Sequence, residues 1–201
     1  KGLGNEIEIR NRRNDMLIEK FNEHGFPVTM DEMIKMKVAN SVCDFKLPKY
    51  NELPNVGLYL EQTVLYINQY ITPLGCAPIT GSMISNYVKK DVIPGPKKKQ
   101  YYNEQIAHLM VIAITKNVLS LENIQKLFHM QKGVYTDQVA YDYFCSELEN
   151  TLFHIFGVRD EIEQIGVTNS GLKAMLRGVI IAVSHMIYLQ CCFDAIEGEK
   201  E

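Results

Sequence analysis

The stretch "VIPGPKKKQYY" (Val92 to Tyr102) limits the possible fold more than any other. Pro94 and Pro96 lack a backbone N–H and fix their own φ, so neither a helix nor a regular ladder can run through it. The chain must turn there and leave its two flanks as separate elements. Both flanks read as helices. Upstream, "APITGSMISNYVKKDV" offers Thr80 as a cap and sets Ile84 and Val88 four apart on one face. Downstream, "NEQIAHLMVIAITKNV" offers Asn103 as a cap and puts Ile106, Leu109, Met110 and Ala113 on its inner side.

The same period recurs along the chain. Leu17 and Phe21 sit four apart before Gly25 and Pro27. In "TMDEMIKMKVANSV", Thr29 and Glu32 make a capping box ahead of a stripe of Met30, Met33, Ile34 and Val38. "DFKLPKYNELPNVG" (Asp44 to Gly57) carries two prolines and no period, and reads as a linker. "LYLEQTVLYINQYI" (Leu58 to Ile71) is helical and ends before Pro73 and Gly75. "SLENIQKLF" is capped by Ser120, with Leu121, Ile124, Leu127 and Phe128 inward. Two longer helices follow, one from about Asp137 to Phe156 and one from about Ser170 to Ile196. Phe144, Leu148, Leu152 and Ile155 face inward on the first. No alternating run is convincing. The expectation is an all-α helical bundle with at most a short β wing. It divides into an arm and linker (1–54), a middle domain (55–134) and a C-terminal helical region (135–201).

The chain has 201 residues and a net charge of −3, so any nucleic-acid surface must be local. Positive charge gathers around the Pro-Gly-Pro corner, as Lys89, Lys90, Lys97, Lys98 and Lys99, with Asp91 the one acid between them. With Ile84 and Val88 inward, Ser82, Ser85, Asn86, Lys89 and Lys90 lie on or near the opposite face. These short polar and cationic side chains suit a groove and its phosphates. The helix amides near Thr80 and Ser82 can receive another phosphate. Lys97, Lys98 and Lys99 project from a stiffened loop and gain from counterion release, while Tyr101 and Tyr102 can offer hydroxyls. A lysine run alone is usually a solvated loop. Its place directly behind a polar-faced helix favours DNA contact.

The segment from Met83 to Phe128 resembles the DNA-binding domain of MerR-type regulators. Met83 to Val88, including Tyr87, fall on that family's recognition helix. Val92, Ile93 and Pro94 fall on its apolar corner, Tyr102, Asn103 and Glu104 on the opening of its next helix, and "LSLENI" on its last helix. Ser85 and Asn86 stand where the family has Arg-Tyr, which shifts phosphate anchoring to Lys89, Lys90 and the wing. Asp91 stands where Gly commonly ends the helix. The pattern is closer still to a bacterial family, DUF1836, through Leu58, Tyr59 and Gln62, then Met83, Ile84, Asn86, Tyr87, Val88, Lys89, Ile93, Pro96, Lys98 and Tyr101 or Tyr102. This resemblance covers about residues 30 to 135. The MerR-type resemblance implies a winged helix-turn-helix, and the DUF1836 resemblance implies a transcription regulator with no established activity. The expected function is sequence-specific binding of double-stranded DNA, with repression as the expected sign and no catalysis.

Other chemistry is sparse. "GCAPITGS" (Gly75 to Ser82) has five residues between its glycines and no following lysine, so it reads as a turn rather than a phosphate loop. His185 and Cys192 share a helix face beside Cys191, but four good metal ligands are not visible, and no metal or other cofactor is expected. Glu147 and Glu149 point about 200° apart on a helix and cannot act as a close acid–base pair. Five cysteines without a Cys-x-x-Cys, and no secretory pattern, suggest reduced thiols and a cytoplasmic location. "GVIIAVSHMIYLQCCF" (Gly178 to Phe193) is shorter than a membrane span needs, so no membrane partner is expected. Its apolar breadth fits a bundle core or, preferably, a homodimer contact. Phe144, Phe153, Phe156 and Met186 could line a small-molecule effector pocket. The alternatives to DNA binding are a helical protein-interaction module and a small-molecule or metal sensor.

Overall fold

The computed structural model describes residues 30–163 and 171–197. The expected N-terminal pattern around Leu17 and Phe21, and the Thr29 cap, lie outside these residues. The chain separates into units of residues 1–36 and 37–201, and the following concerns the second apart from the first helix.

The regular structure of the described part is helical apart from one two-stranded sheet. In chain order the elements are α1 (Met30–Val42), β1 (Leu58–Tyr59), α2 (Leu60–Ile71), α3 (Gly81–Lys89), β2 (Gln100–Tyr101), α4 (Asn103–Thr115), α5 (Leu121–Gln131), α6 (Asp137–Ile155) and α7 (Gly171–Glu197). Single 3-10 turns occupy Tyr50–Glu52 and Thr72–Leu74. This is the expected all-α class with a short β wing.

Helix α4 is the central post. Ile106, Leu109, Met110, Ile112, Ala113 and Ile114 are all fully buried, so apolar residues cover most of its circumference. Helices α2, α5, α6 and α7 pack around it. Helix α6 buries Tyr141, Phe144, Cys145, Leu148 and Leu152. The middle and C-terminal segments thus share one core within the unit of residues 37–201.

Helix starts follow local chemistry. Thr80, Ser120 and Thr136 each cap through a side-chain oxygen that accepts from the third helical N–H. Helices α2 and α4 use only the reciprocal half of a capping box. The Gln62 side chain accepts from the Tyr59 N–H, and that of Gln105 accepts from the Tyr102 N–H. Asn103, the expected cap of α4, is instead its first helical residue. The reason is Gln105: its buried amide ties down the N–H one residue earlier.

Helix α7 buries Ile180, Val183, Ser184 and Ile187. Met175, Ile181, Leu189, Phe193 and Ile196 are exposed. It is therefore not a central bundle helix. Among the described residues it is the one helix long and apolar enough to cross a membrane, by length and composition.

An ion pair with a partly exposed arginine and a buried glutamate joins α6 to α7. Glu147 is 1% exposed and accepts from the Arg177 Nε. Glu149, two residues on, faces elsewhere, accepting from the Leu47 N–H at 3.2 Å with Lys49 Nζ 3.9 Å away. The two carboxylates diverge as the helical period requires.

Candidate nucleic-acid interface

Helices α2 and α3 are joined by a connector held at three points. Gly75 ends the 3-10 turn in the left-handed conformation at φ 70°. Asn68 on α2 donates to the Ile79 carbonyl at 3.0 Å and accepts from the Ile79 N–H at 2.9 Å. Lys116, just after α4, donates to the Ala77 carbonyl at 2.8 Å. Residues Ala77 to Ile79 are thereby fixed, and with them the start of α3.

Helix α3 buries Ile84 and Tyr87 and half-buries Val88. Ser82, Ser85, Asn86 and Lys89 are exposed, followed by exposed Lys90. The polar flank expected from the apolar spacing is thus on the surface. Its hydroxyls are partly engaged: Thr80 Oγ1 accepts from the Met83 N–H and lies 2.9 Å from Ser82 Oγ, while Ser85 donates to the Gly81 carbonyl. The Asn86 amide and the lysine ammonium groups are the stronger donors on this side.

The end of α3 explains Asp91. Its φ is 55°, the left-handed value. The Asp91 N–H donates to the Val88 carbonyl at 3.0 Å and the Val92 N–H to the Tyr87 carbonyl at 2.9 Å. This is a Schellman ending, with Val92 and Tyr87 both buried where that motif makes its apolar contact. Asp occupies the position that Gly prefers. Gln125 of α5 steadies it, donating to the Asp91 carbonyl at 3.0 Å and the Lys90 carbonyl at 3.4 Å.

Beyond the corner the chain forms a tight hairpin. Lys97 and Gln100 exchange both backbone hydrogen bonds, at 2.9 and 3.0 Å. Lys98 (φ 51°) and Lys99 (φ 66°) form its two-residue tip. Left-handed values at both tip residues define the type I′ turn, where Asn-Gly is the preferred pair. Lysine in each position is conformationally unfavourable by about 1–2 kcal/mol. Lys97, Lys98 and Lys99 are all exposed.

The hairpin is anchored at its base and along one edge. Gln105 donates to the Gly95 carbonyl at 3.2 Å while accepting from Tyr102, which closes the loop from Gly95 to Tyr102. A Cβ built on Gly95 would lie 3.6 Å from Val88, so the corner returns against the last turn of α3. β2 pairs antiparallel with β1, Tyr59 opposite Gln100 and Leu58 opposite Tyr101. Gly57 permits this approach: a Cβ there would fall 2.7 Å from Gln100 Cβ and 2.9 Å from the Tyr102 ring.

Two of the sequence-expected contacts are withdrawn by this geometry. Tyr87 is 6% exposed and Tyr101 4% exposed, and burial pushes both phenols up. Tyr87 lies three residues after Ile84 and shares its inward face. Tyr101 lies in β2 and is buried, whereas Tyr102, one residue past the strand and at the N-cap of α4, is half-exposed. Thr80, Ser82, Ser85, Asn86, Lys89, Lys90, Lys97, Lys98 and Lys99 are exposed as expected. Sequence reasoning missed Asn68, Gln105 and Gln125, whose amides position the surface without belonging to it.

Of the other expected features, His185 is exposed and Cys191 and Cys192 are half-buried. No group of three potential metal ligands occurs among the described residues. A cavity of about 120 Å³ beside α4 is lined by Phe144 but not by Phe153, Phe156 or Met186, which corrects the expected pocket wall.

Fold and surface together define an all-α protein with a polar-faced helix braced beside a lysine-tipped wing. Residues 48–144 match the family model described as a domain of unknown function, DUF1836. The match runs from before β1 into α6. No curated protein and no solved structure matches the chain.

Proposed function

We propose that this protein is a sequence-specific transcription regulator that binds double-stranded DNA without catalysis. In this reading α2 and α3 are a MerR-like helix-turn-helix and α3 enters the major groove. Asn86, with help from Ser82 and Ser85, reads base edges. Lys89, Lys90 and the Lys97–Lys99 tip follow the phosphates, and Tyr102 supports the wing. The observation that carries the reading is the hairpin tip. Two consecutive lysines sit where backbone strain favours Asn-Gly, both exposed, beside a helix whose outer flank is polar. Strain kept at a surface turn points to a role for the charge.

The exposed apolar side of α7, with Met175, Ile181, Leu189 and Phe193, supports a homodimer. Two-fold pairing would place two recognition helices on a two-fold operator, with repression by occupancy as the simplest outcome. The location proposed is the cytoplasm.

The test is binding to random-sequence duplex as salt rises, for the wild type and for the Lys97→Ala, Lys98→Ala, Lys99→Ala triple variant. Loss of three phosphate contacts lowers the salt slope by about 2.7. Equal slopes remove the wing from the interface. Salt-sensitive capture of an acidic protein, with no affinity for duplex, favours the protein-interaction reading instead.

A further inference from the structure

Helix α7 carries a continuous exposed stripe on the side opposite the one it buries. Ile180, Val183, Ser184 and Ile187 face the core. The first half of the stripe is small: Gly171, Ala174, Gly178 and Ala182 are all exposed. The second half is large: His185, Leu189, Phe193 and Ile196 are exposed too. The steps between these residues run three, four, four, three, four, four, three, an eleven-residue repeat. That period keeps the stripe on one side of the helix, with only a slight right-handed drift.

Gly178 calls for a reason. After proline, glycine is the least favourable residue in a helix interior. A Cβ built on Gly178 meets nothing within 4 Å, so packing within the chain does not demand a glycine there. Close approach of a neighbour from outside the chain would.

The steps read the same in both directions. Reflection about the midpoint between Val183 and Ser184 puts Ala182 on His185 and Gly178 on Leu189. It likewise puts Ala174 on Phe193 and Gly171 on Ile196. Two antiparallel copies, related by a two-fold axis through that midpoint, would set these residues level with one another. Each large side chain then has room over a glycine or an alanine, and the helices can come close. A parallel pair would set Phe193 against Phe193 and Gly178 against Gly178, which crowds one layer and empties another. A lipid environment would leave this matching unused and would take up His185 in mid-stripe, where an ionisable side chain is unfavourable.

We infer that α7 docks on α7 of a second copy, antiparallel and centred between Val183 and Ser184, the small residues of each chain receiving the large residues of the other. The contact is isologous. It rests on the homodimer reading above and adds the direction, the register and the contact residues.

Sedimentation equilibrium of the full chain gives the first test. The wild type should have the mass of two chains, and Leu189→Asp, which is exposed in the single chain, the mass of one. Disulfide trapping gives the register, in a chain carrying Cys191→Ser and Cys192→Ser. Gly178→Cys together with Leu189→Cys should yield a cross-linked dimer on mild oxidation. Either alone should yield none, because its cysteine lies about 16 Å along the helix axis from its counterpart. A monomeric wild type overturns the inference, and its flotation with phosphatidylcholine vesicles would assign the stripe to lipid instead. A dimer in which a single cysteine variant cross-links, or the double variant does not, overturns the inferred pairing and leaves the homodimer reading standing. None of these measurements involves DNA, so their failure is separate from failure of the DNA-binding reading.

Discussion

Replacing Lys98 by Asn and Lys99 by Gly should make the protein more stable and a poorer DNA binder. Both lysines hold left-handed φ values, 51° and 66°, in a two-residue hairpin closed by two short backbone hydrogen bonds. A left-handed residue with a Cβ is unfavourable by about 1–2 kcal/mol, and Gly escapes this while Asn largely does. Against that gain stands the extra freedom of Gly in the unfolded chain, about 0.5–1 kcal/mol. The net expectation is stabilisation by about 1 kcal/mol, a rise in Tm of about 2–4 °C for a chain of this size. The side chains themselves are exposed, so no buried contact is lost. Removing two phosphate contacts should meanwhile reduce the salt slope of duplex binding by about 1.8. Thermal or urea unfolding gives the first quantity, and fluorescence anisotropy with a labelled duplex at several salt concentrations gives the second. A less stable variant would refute the argument about strain. A stabilised variant with an undiminished salt slope would show that the strain does not serve DNA contact.

Two further outcomes follow from buried charge. Arg177→Ala should destabilise the fold by about 1–3 kcal/mol, because it leaves the Glu147 side chain, 1% exposed, without its hydrogen-bond donor, whereas Arg177→Met combined with Glu147→Leu should be milder. Urea midpoints of the single and double variants check this. Since the folded pKa of His108 lies below its unfolded value, its contribution to stability is complete above about pH 6.5 and is lost as pH falls. Unfolding midpoints between about pH 7 and 5 should therefore decline more steeply in the wild type than in His108→Phe.

The corner was legible because proline forbids regular structure, and α3 because Ile84 and Val88 set its inner face. Thr80 as cap and the exposed lysines follow from the same reading. The hairpin was not legible: "KKKQ" has neither the Asn nor the Gly that marks a type I′ turn. Strand β1 escaped because two residues show no alternation, and Leu58 and Tyr59 continue the apolar pattern of α2. Tyr87 and Tyr101 were misplaced because a tyrosine's amphipathic side chain gives no sign of its direction until strand register or helix phase is fixed. The amides of Asn68, Gln105 and Gln125 act between distant segments, over separations that no local pattern encodes. The Glu147–Arg177 pair joins two helices across thirty positions of sequence for the same reason.

The central claim is that the polar flank of α3 and the lysine corner behind it form one surface for duplex DNA. Selection of binding sites from random duplexes by the purified protein tests it most directly. The account predicts enrichment of a defined motif in two half-sites about one helical turn apart, altered in base preference by Asn86→Ala. Recovery of no sequence above background, or of a motif that Asn86→Ala leaves unchanged, would contradict it.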